Sequence, residues 1–170
     1  ECVRLGIERA LRLLNTDRLD IVHLHSCPLE TLEQGEVVRA LLDARAAGKI
    51  RAAAYSGDNE PLEWAAASGL FDGLETSCNI CAQRVIGRGL AAARAAGLGV
   101  IAKRPLANGP WRHAARPVGE YVEVYWARFR AMGLDTVATD WQRAALLFAC
   151  ETPGVTSAII GSRNIVHLEE

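Results

Sequence analysis

Three consecutive runs decide the fold: Leu19-Asp20-Ile21-Val22-His23-Leu24, then Leu32 to Ala47, then Gly48-Lys49-Ile50-Arg51-Ala52-Ala53-Ala54-Tyr55. The first is short and mostly apolar, long enough only for a strand. The second carries apolar residues at helical spacing and is closed by Gly48, at the position after a helix where a left-handed backbone favours glycine. Ile50 to Tyr55 is again strand-length. A strand, a helix and a strand in succession require two parallel strands joined by a right-handed crossover.

The same alternation continues in both directions. Upstream, Cys2 to Leu14 reads as a helix on Leu5, Ala10 with Leu11, and Leu13 with Leu14, ended by Asn15-Thr16-Asp17. Downstream, Asp58-Asn59-Glu60-Pro61 has the form of a helix start, with a capping side chain ahead of Pro61, and Gly69 stops that helix. Leu74 to Ser77 is a brief strand, Arg84 to Ala96 a helix ended by Gly97, and Val100 to Lys103 a strand. Pro105 to Gly119, rich in Gly, Pro and Arg, reads as an extended loop. Glu120 to Met132 and Thr139 to Cys150 follow as helices, Thr156 to Ile160 as the last strand, and Asn164 as the start of a final helix.

Parallel strands separated by helices fit either an open doubly wound sheet or a (β/α)8 barrel. No GxGxxG follows a strand, which removes the best signature of the open dinucleotide-binding sheet. A complete barrel takes roughly 250 residues, so the expected fold is α/β, an incomplete (β/α)8 TIM barrel of about five parallel strands. Unpaired strand edges are costly, so a single domain over residues 1–170 is expected to lack N-terminal strands and a C-terminal tail.

Composition narrows the functional classes. Half of the residues are hydrophobic, aromatics make up 6%, and the formal net charge is −1. Charges are interspersed, with neither a basic, aromatic-laced stripe for nucleic acid nor an acidic disordered tail. No apolar run approaches the ~20 residues of a membrane span, and the first residues lack the pattern of a signal peptide, so a cytoplasmic protein is expected. The five cysteines are spread out and odd in number, which suits reduced thiols. Cys78 and Cys81 form a lone CxxC with no second pair to complete a zinc site. They read as small strand-end thiols.

Four segments resemble the aldo-keto reductase family. Arg18 to His25 with Ser26-Cys27-Pro28 looks like the family's fourth strand, which ends in the catalytic histidine. Gly48 to Ser56 is similar to its "GKIRAIGVS" strand. Gly99 to Ala107 is similar to the strand and loop that pass the cofactor. Gly161-Ser162-Arg163-Asn164, closing at His167 to Glu170, resembles the phosphate-binding turn and following helix. Their order and spacing cover nearly the whole chain. The resemblance implies NAD(P)H-dependent reduction of an aldehyde or ketone, with a small-molecule carbonyl substrate.

On that resemblance His25 is the catalytic histidine that orients the carbonyl. Ser56, Glu75, Lys103, Arg104, Pro105, Leu106, Gly161, Ser162, Arg163 and His167 are the cofactor-binding positions. No metal is expected. The family's tyrosine, aspartate and lysine would lie on earlier strands. Four positions depart from the pattern: Gly57 for a common asparagine, Glu75 for glutamine, Lys103 for a ring-stacking tyrosine, and His167 for an arginine. These departures motivate an alternative, a non-catalytic subunit of the same fold that senses cofactor or acts as a scaffold.

The residues themselves agree with a strand-end site, because barrel chemistry gathers at the C-terminal ends of strands. His23 and His25, two apart on one strand, face the same side. Besides catalysis, His25 could be a satisfied core histidine, or the pair could begin an HxH metal site needing further ligands from later strands. Ser162 and Arg163 place a hydroxyl, backbone N–H groups and a guanidinium around one anion position, which favours NADP, with NAD possible. Trp64, Trp126 and Trp141 lie in helical stretches and read as packing residues. Trp111, in the loop, reads either as packing or as cover for the site.

Overall fold

A computed structural model describes residues 1–162 and 165–168 of the chain. The element order is α1 (Cys2–Leu14), β1 (Leu19–His25), α2 (Leu29–Gln34), α3 (Glu36–Ala46), β2 (Ile50–Ser56), α4 (Asn59–Ala67), β3 (Gly73–Ser77), α5 (Arg84–Ala95), β4 (Gly99–Lys103), α6 (Glu123–Ala131), α7 (Trp141–Glu151) and β5 (Ser157–Ile159). All neighbouring strands are parallel, and their order in the sheet is simply β1-β2-β3-β4-β5. A doubly wound sheet reverses its winding at a switch point. Here each strand lies beside the next in sequence, which is the winding of a barrel wall.

Side-chain alternation divides the sheet into two faces. One face carries Leu24, Ala53, Tyr55, Leu74, Val100 and Ala102, all under 9% exposed, in a continuous core with Ile7 and Leu11 of α1, Leu41 of α3, Leu62 of α4 and Leu90 of α5. At about 1.5–3 kcal/mol for each large apolar side chain buried, this layer is the main attachment of the helices. The opposite, concave face is buried at Ala54 and Ser56 in β2 and more open on the two edge strands, with Ile21 40% and Ile159 49% exposed.

The helices differ from expectation in instructive places. The single helix expected over Leu32 to Ala47 is two helices, because Gly35 takes a left-handed φ of 78° that the α-helix does not contain. Gly48 does follow α3 with φ 74°. In α1 the buried stripe is Ile7 and Leu11, one turn apart, and Leu5, Leu13 and Leu14 point to solvent. The loop from Pro105 to Gly119 contains a turn of 3-10 helix at Pro110–Arg112. The helix expected from Glu120 begins at Glu123, whose carboxylate accepts a 2.7 Å hydrogen bond from the Gly119 N–H. The last helix before β5 begins at Trp141, capped by the Asp140 side chain, which accepts from the Arg143 N–H. Asn164, the expected start of the final helix, lies outside the described residues, and Ile165–Leu168 form a 3-10 turn.

Candidate active site

All five strands end on the same rim. Register sets His25 beside Ser56 and Ser56 beside Glu75, while Ser77 lies beside Lys103 and Lys103 beside Ile159. Alternation turns His23, His25, Ser56, Glu75, Ser77 and Lys103 to the concave face. Adjacent parallel strands stand about 4.8 Å apart, so these side chains form one polar cluster at the rim. Four of the expected site residues, His25, Ser56, Glu75 and Lys103, are thereby brought together.

The cluster is electrostatically uneven. His25 is exposed, whereas His23 sits deeper, its Nε2 3.7 Å from Glu75 Oε2. Burial pushes the His23 imidazole below its ordinary value, opposed by Glu75 and assisted by His25 and Lys103. His23 Nε2 and Ser56 Oγ are buried and have no hydrogen-bond partner among the described residues. Such orphaned groups are uncommon in proteins and point to a missing ligand or water.

Lys103 is 8% exposed and brings Nζ to 3.8 Å from Asp58 Oδ2. The Asp58 carboxylate also accepts from Thr76 Oγ1 at 2.9 Å, the Ser77 N–H at 2.8 Å and Ser77 Oγ at 3.3 Å. Burial opposes its ionisation, but the Ser77 N–H, Lys103 and the two hydroxyls hold its pKa below the ordinary carboxylate value. Asp58 precedes α4 as a cap should, yet its side chain makes no capping bond there. It crosses instead to the end of β3.

Gly57 stands where the resemblance led to an expected asparagine, and a side chain there meets a steric obstacle. A Cβ at Gly57 would come within 2.7 Å of Cε1 and Cζ of the Tyr55 ring. The Tyr55 hydroxyl donates at 2.9 Å to the Cys27 carbonyl, and burial pushes its pKa up to about 12. The ring therefore fills the space that a side chain at residue 57 would need.

The rim is held by an unusual backbone. Ser26, Asn59, Arg104, Ala107 and Asn108 all have φ between 47° and 60° without being glycine. Asn79, fully buried, donates through Nδ2 to the Arg104 carbonyl at 2.9 Å and accepts the Cys81 N–H on Oδ1 at 2.9 Å, joining the turns after β3 and β4. The Arg104 guanidinium lies over the Tyr121 ring at 4.7 Å, donates to the Tyr121 hydroxyl, and reaches the Tyr125 hydroxyl at 3.3 Å. Pro105 is buried and Leu106 half-buried in the same turn. Trp111 packs on Phe129 and Trp141, with ring centroids 6.2 and 6.4 Å away, so it belongs to a satellite core and does not cover the strand ends.

Gly161 and Ser162 are exposed just beyond β5. Arg163 and the His167 side chain lie outside the described residues. Cys78 and Cys81 are buried free thiols whose pKa values are raised by that burial, Cys81 to about 11, which disfavours the reactive thiolate. Among the described residues no three His, Cys, Asp or Glu side chains converge as a metal site would require. No described helix is long and apolar enough to cross a membrane.

A barrel wall with polar groups concentrated at its C-terminal strand ends defines the class, an α/β barrel protein with its site on the rim. The family model of the aldo/keto reductase family matches residues 1–170, and the chain belongs to that family. Among solved structures, an aldo-keto reductase from Bacillus halodurans in its holo form superposes with a TM-score of 0.74 at 20% identity, covering 98% of this chain and 58% of that one. A Pseudomonas aeruginosa protein described as an aldo-keto reductase superposes with a TM-score of 0.70 at 25% identity, covering 98% of this chain and 54% of that one. The chain thus spans less than two thirds of the length of these structures. No curated protein matches it.

Proposed function

We propose that residues 1–170 form strands four to eight of a longer barrel whose reaction is NAD(P)H-dependent reduction of an aldehyde or ketone to an alcohol. The observation carrying this reading is the row His25, Ser56, Glu75 and Lys103 across four adjacent strand ends, with Ser56 Oγ buried and unpartnered among the described residues. A hydroxyl waiting for a partner beside a carboxylate suits the amide of a nicotinamide, so the residues fit the cofactor. Bound NADPH would supply the hydride. Ser56 and Glu75 would hold the amide, and exposed His25 would donate a hydrogen bond that orients the substrate carbonyl. Lys103, 3.8 Å from Asp58, would set its ammonium beside the ring site instead of an aromatic face. Arg104, Pro105 and Leu106 would form the wall along which the cofactor passes. Gly161, Ser162, Arg163 and His167 would receive the adenosine phosphate, which favours NADP over NAD.

The test is His25→Ala in the full-length protein. Carbonyl turnover at saturation should fall far more than cofactor affinity. Collapse of cofactor affinity with turnover retained would make His25 a structural residue instead.

A second reading, a non-catalytic cofactor sensor or scaffold, draws on the Tyr55 ring that occupies the space of the expected asparagine and on Lys103 in place of tyrosine. The full-length sequence separates the two readings. Aspartate, tyrosine and lysine on the earlier strand ends favour the enzyme, and their loss favours the sensor.

A further inference from the structure

A crevice of about 580 Å³ opens at the end of β3 on the side of the helices, between α4, α5 and α6. Its size lies within the roughly 300–1,000 Å³ of small-molecule sites. It adjoins the concave-face cluster and shares Asp58, Ser77 and Arg104 with the rim, but Thr76, which alternation turns toward the helices, contributes to its walls, and His25, Glu75 and Lys103 do not. Three guanidinium groups line it, Arg84 from α5, Arg104 from the turn after β4, and Arg128 from α6. Among the described residues none of the three pairs with a carboxylate. Arg104 is held by tyrosine hydroxyls, and Arg128 donates to the Cys81 carbonyl at 3.1 Å.

Two carboxylates share the crevice, and they are not equivalent. Asp58 is already paired with the Lys103 ammonium, and it accepts bonds from Thr76 and Ser77. Glu63 alone remains to oppose the three arginines, which leaves an excess of two positive charges. Leu62, Val85 and Cys81 supply an apolar part of the wall, beside polar Asn59, Ser77 and Gln83. Asn59 and Arg104, both lining residues, hold φ values of 60° and 56°. Backbone of that kind costs about 1–3 kcal/mol per residue and persists where the surroundings impose it, often at ligand clamps.

We propose that this crevice binds a small organic phosphate, its dianionic head among Arg84, Arg104 and Arg128 and its apolar body along Leu62 and Val85. Guanidinium forks match phosphate oxygens in pairs, and an excess of two charges matches a dianion better than a carboxylate. The site lies on the helix side of β3 and meets the proposed cofactor wall at Arg104.

The experiment titrates phenyl phosphate into the full-length protein by calorimetry, with inorganic phosphate, benzoate and phenol as comparison probes. Phenyl phosphate should bind saturably, about tenfold or more tighter than benzoate, since one charge-assisted contact corresponds to about that factor. Inorganic phosphate should bind more weakly than phenyl phosphate, and phenol not at all. The double variant Arg84→Gln with Arg128→Gln should weaken phenyl phosphate by about tenfold or more while leaving NADP affinity unchanged. Binding should persist at saturating NADP. Absence of saturable binding, equal affinity for benzoate, an unaffected double variant, or displacement by NADP would each overturn the proposal. Phenyl phosphate binding in a protein that takes no NADP would leave this site standing and remove the hydride-transfer reading.

Discussion

The Lys103 ammonium and the Asp58 carboxylate stand 3.8 Å apart, and between them they tie the ends of β2, β3 and β4. The lysine stem is buried and the aspartate keeps 39% of its side chain exposed. The pair is therefore neither a dry ion pair nor a surface one, and most of its worth lies in the hydrogen bonds that Asp58 collects from β3. Asp58→Asn keeps one acceptor oxygen but loses the charge. It should destabilise the protein by about 1–2 kcal/mol in urea unfolding, a value discounted for the exposed edge of the carboxylate. An unchanged midpoint would show that the Thr76 and Ser77 contacts contribute nothing.

The Tyr55 ring and Gly57 form a steric pair. Gly57→Asn, which restores the common family residue, should cost about 1–3 kcal/mol because its Cβ meets the ring. Combining it with Tyr55→Ala, which removes the ring, should recover part of that cost, so the two changes would be less than additive. Strict additivity in the double-mutant cycle would show that Tyr55 does not obstruct residue 57.

Acid should act on the concave face before it acts elsewhere in the site. The folded-state pKa of His23 is lowered, so as pH falls through the ordinary value of 6.5 the unfolded chain takes a proton that the folded chain resists. Stability is unaffected by this group above that value and declines below it. Asp58 has a lowered pKa as well, and its contribution is present above its ordinary value of 3.8 and is lost as pH falls through the depressed folded value. His23→Gln should flatten the stability profile just below pH 6.5 and leave the strongly acidic limb in place. A profile identical to wild type would remove His23 as its cause.

Cofactor choice is testable at Arg163. A guanidinium on the 2′-phosphate is worth roughly 1.5–3 kcal/mol, so Arg163→Ala should weaken NADP by about ten- to a hundredfold and NAD hardly at all. Titration of both cofactors into the full-length protein measures this. Equal losses for the two, or none for either, would show that Arg163 does not read the phosphate.

The sheet was legible in the sequence because strands buried on one face and separated by helices leave a periodic record. Leu19 to Leu24 and Ile50 to Tyr55 match β1 and β2 to within a residue at each end. Gly35 was legible too, but a glycine inside a helical pattern is often tolerated, and the apolar spacing runs past it. Asp58 illustrates a different limit. Locally it has every attribute of a helix cap, and only the tertiary fold brings Thr76, Ser77 and Lys103 to it. Trp111 similarly lies in a polar loop, and its partners Phe129 and Trp141 come from two later helices. The placing of His25, Ser56, Glu75 and Lys103 at strand ends was legible in the sequence, but their sharing one face depends on the register between strands. The orphaned Ser56 hydroxyl was not legible, since burial of that atom depends on neighbours from other strands.

The left-handed residues at the rim bear on how this protein could be engineered. Ser26 and Arg104 each follow the last residue of a strand, and Asn59 opens α4, in a conformation that glycine adopts freely. Glycine at exposed Ser26 should raise stability modestly, because the conformational relief there is not offset by lost side-chain contacts. The same change at Arg104 would also remove the tyrosine clamp and one wall of the arginine crevice. A consensus or directed-evolution campaign screened only for heat resistance would therefore accumulate glycines along this rim and erode binding before anyone assayed it.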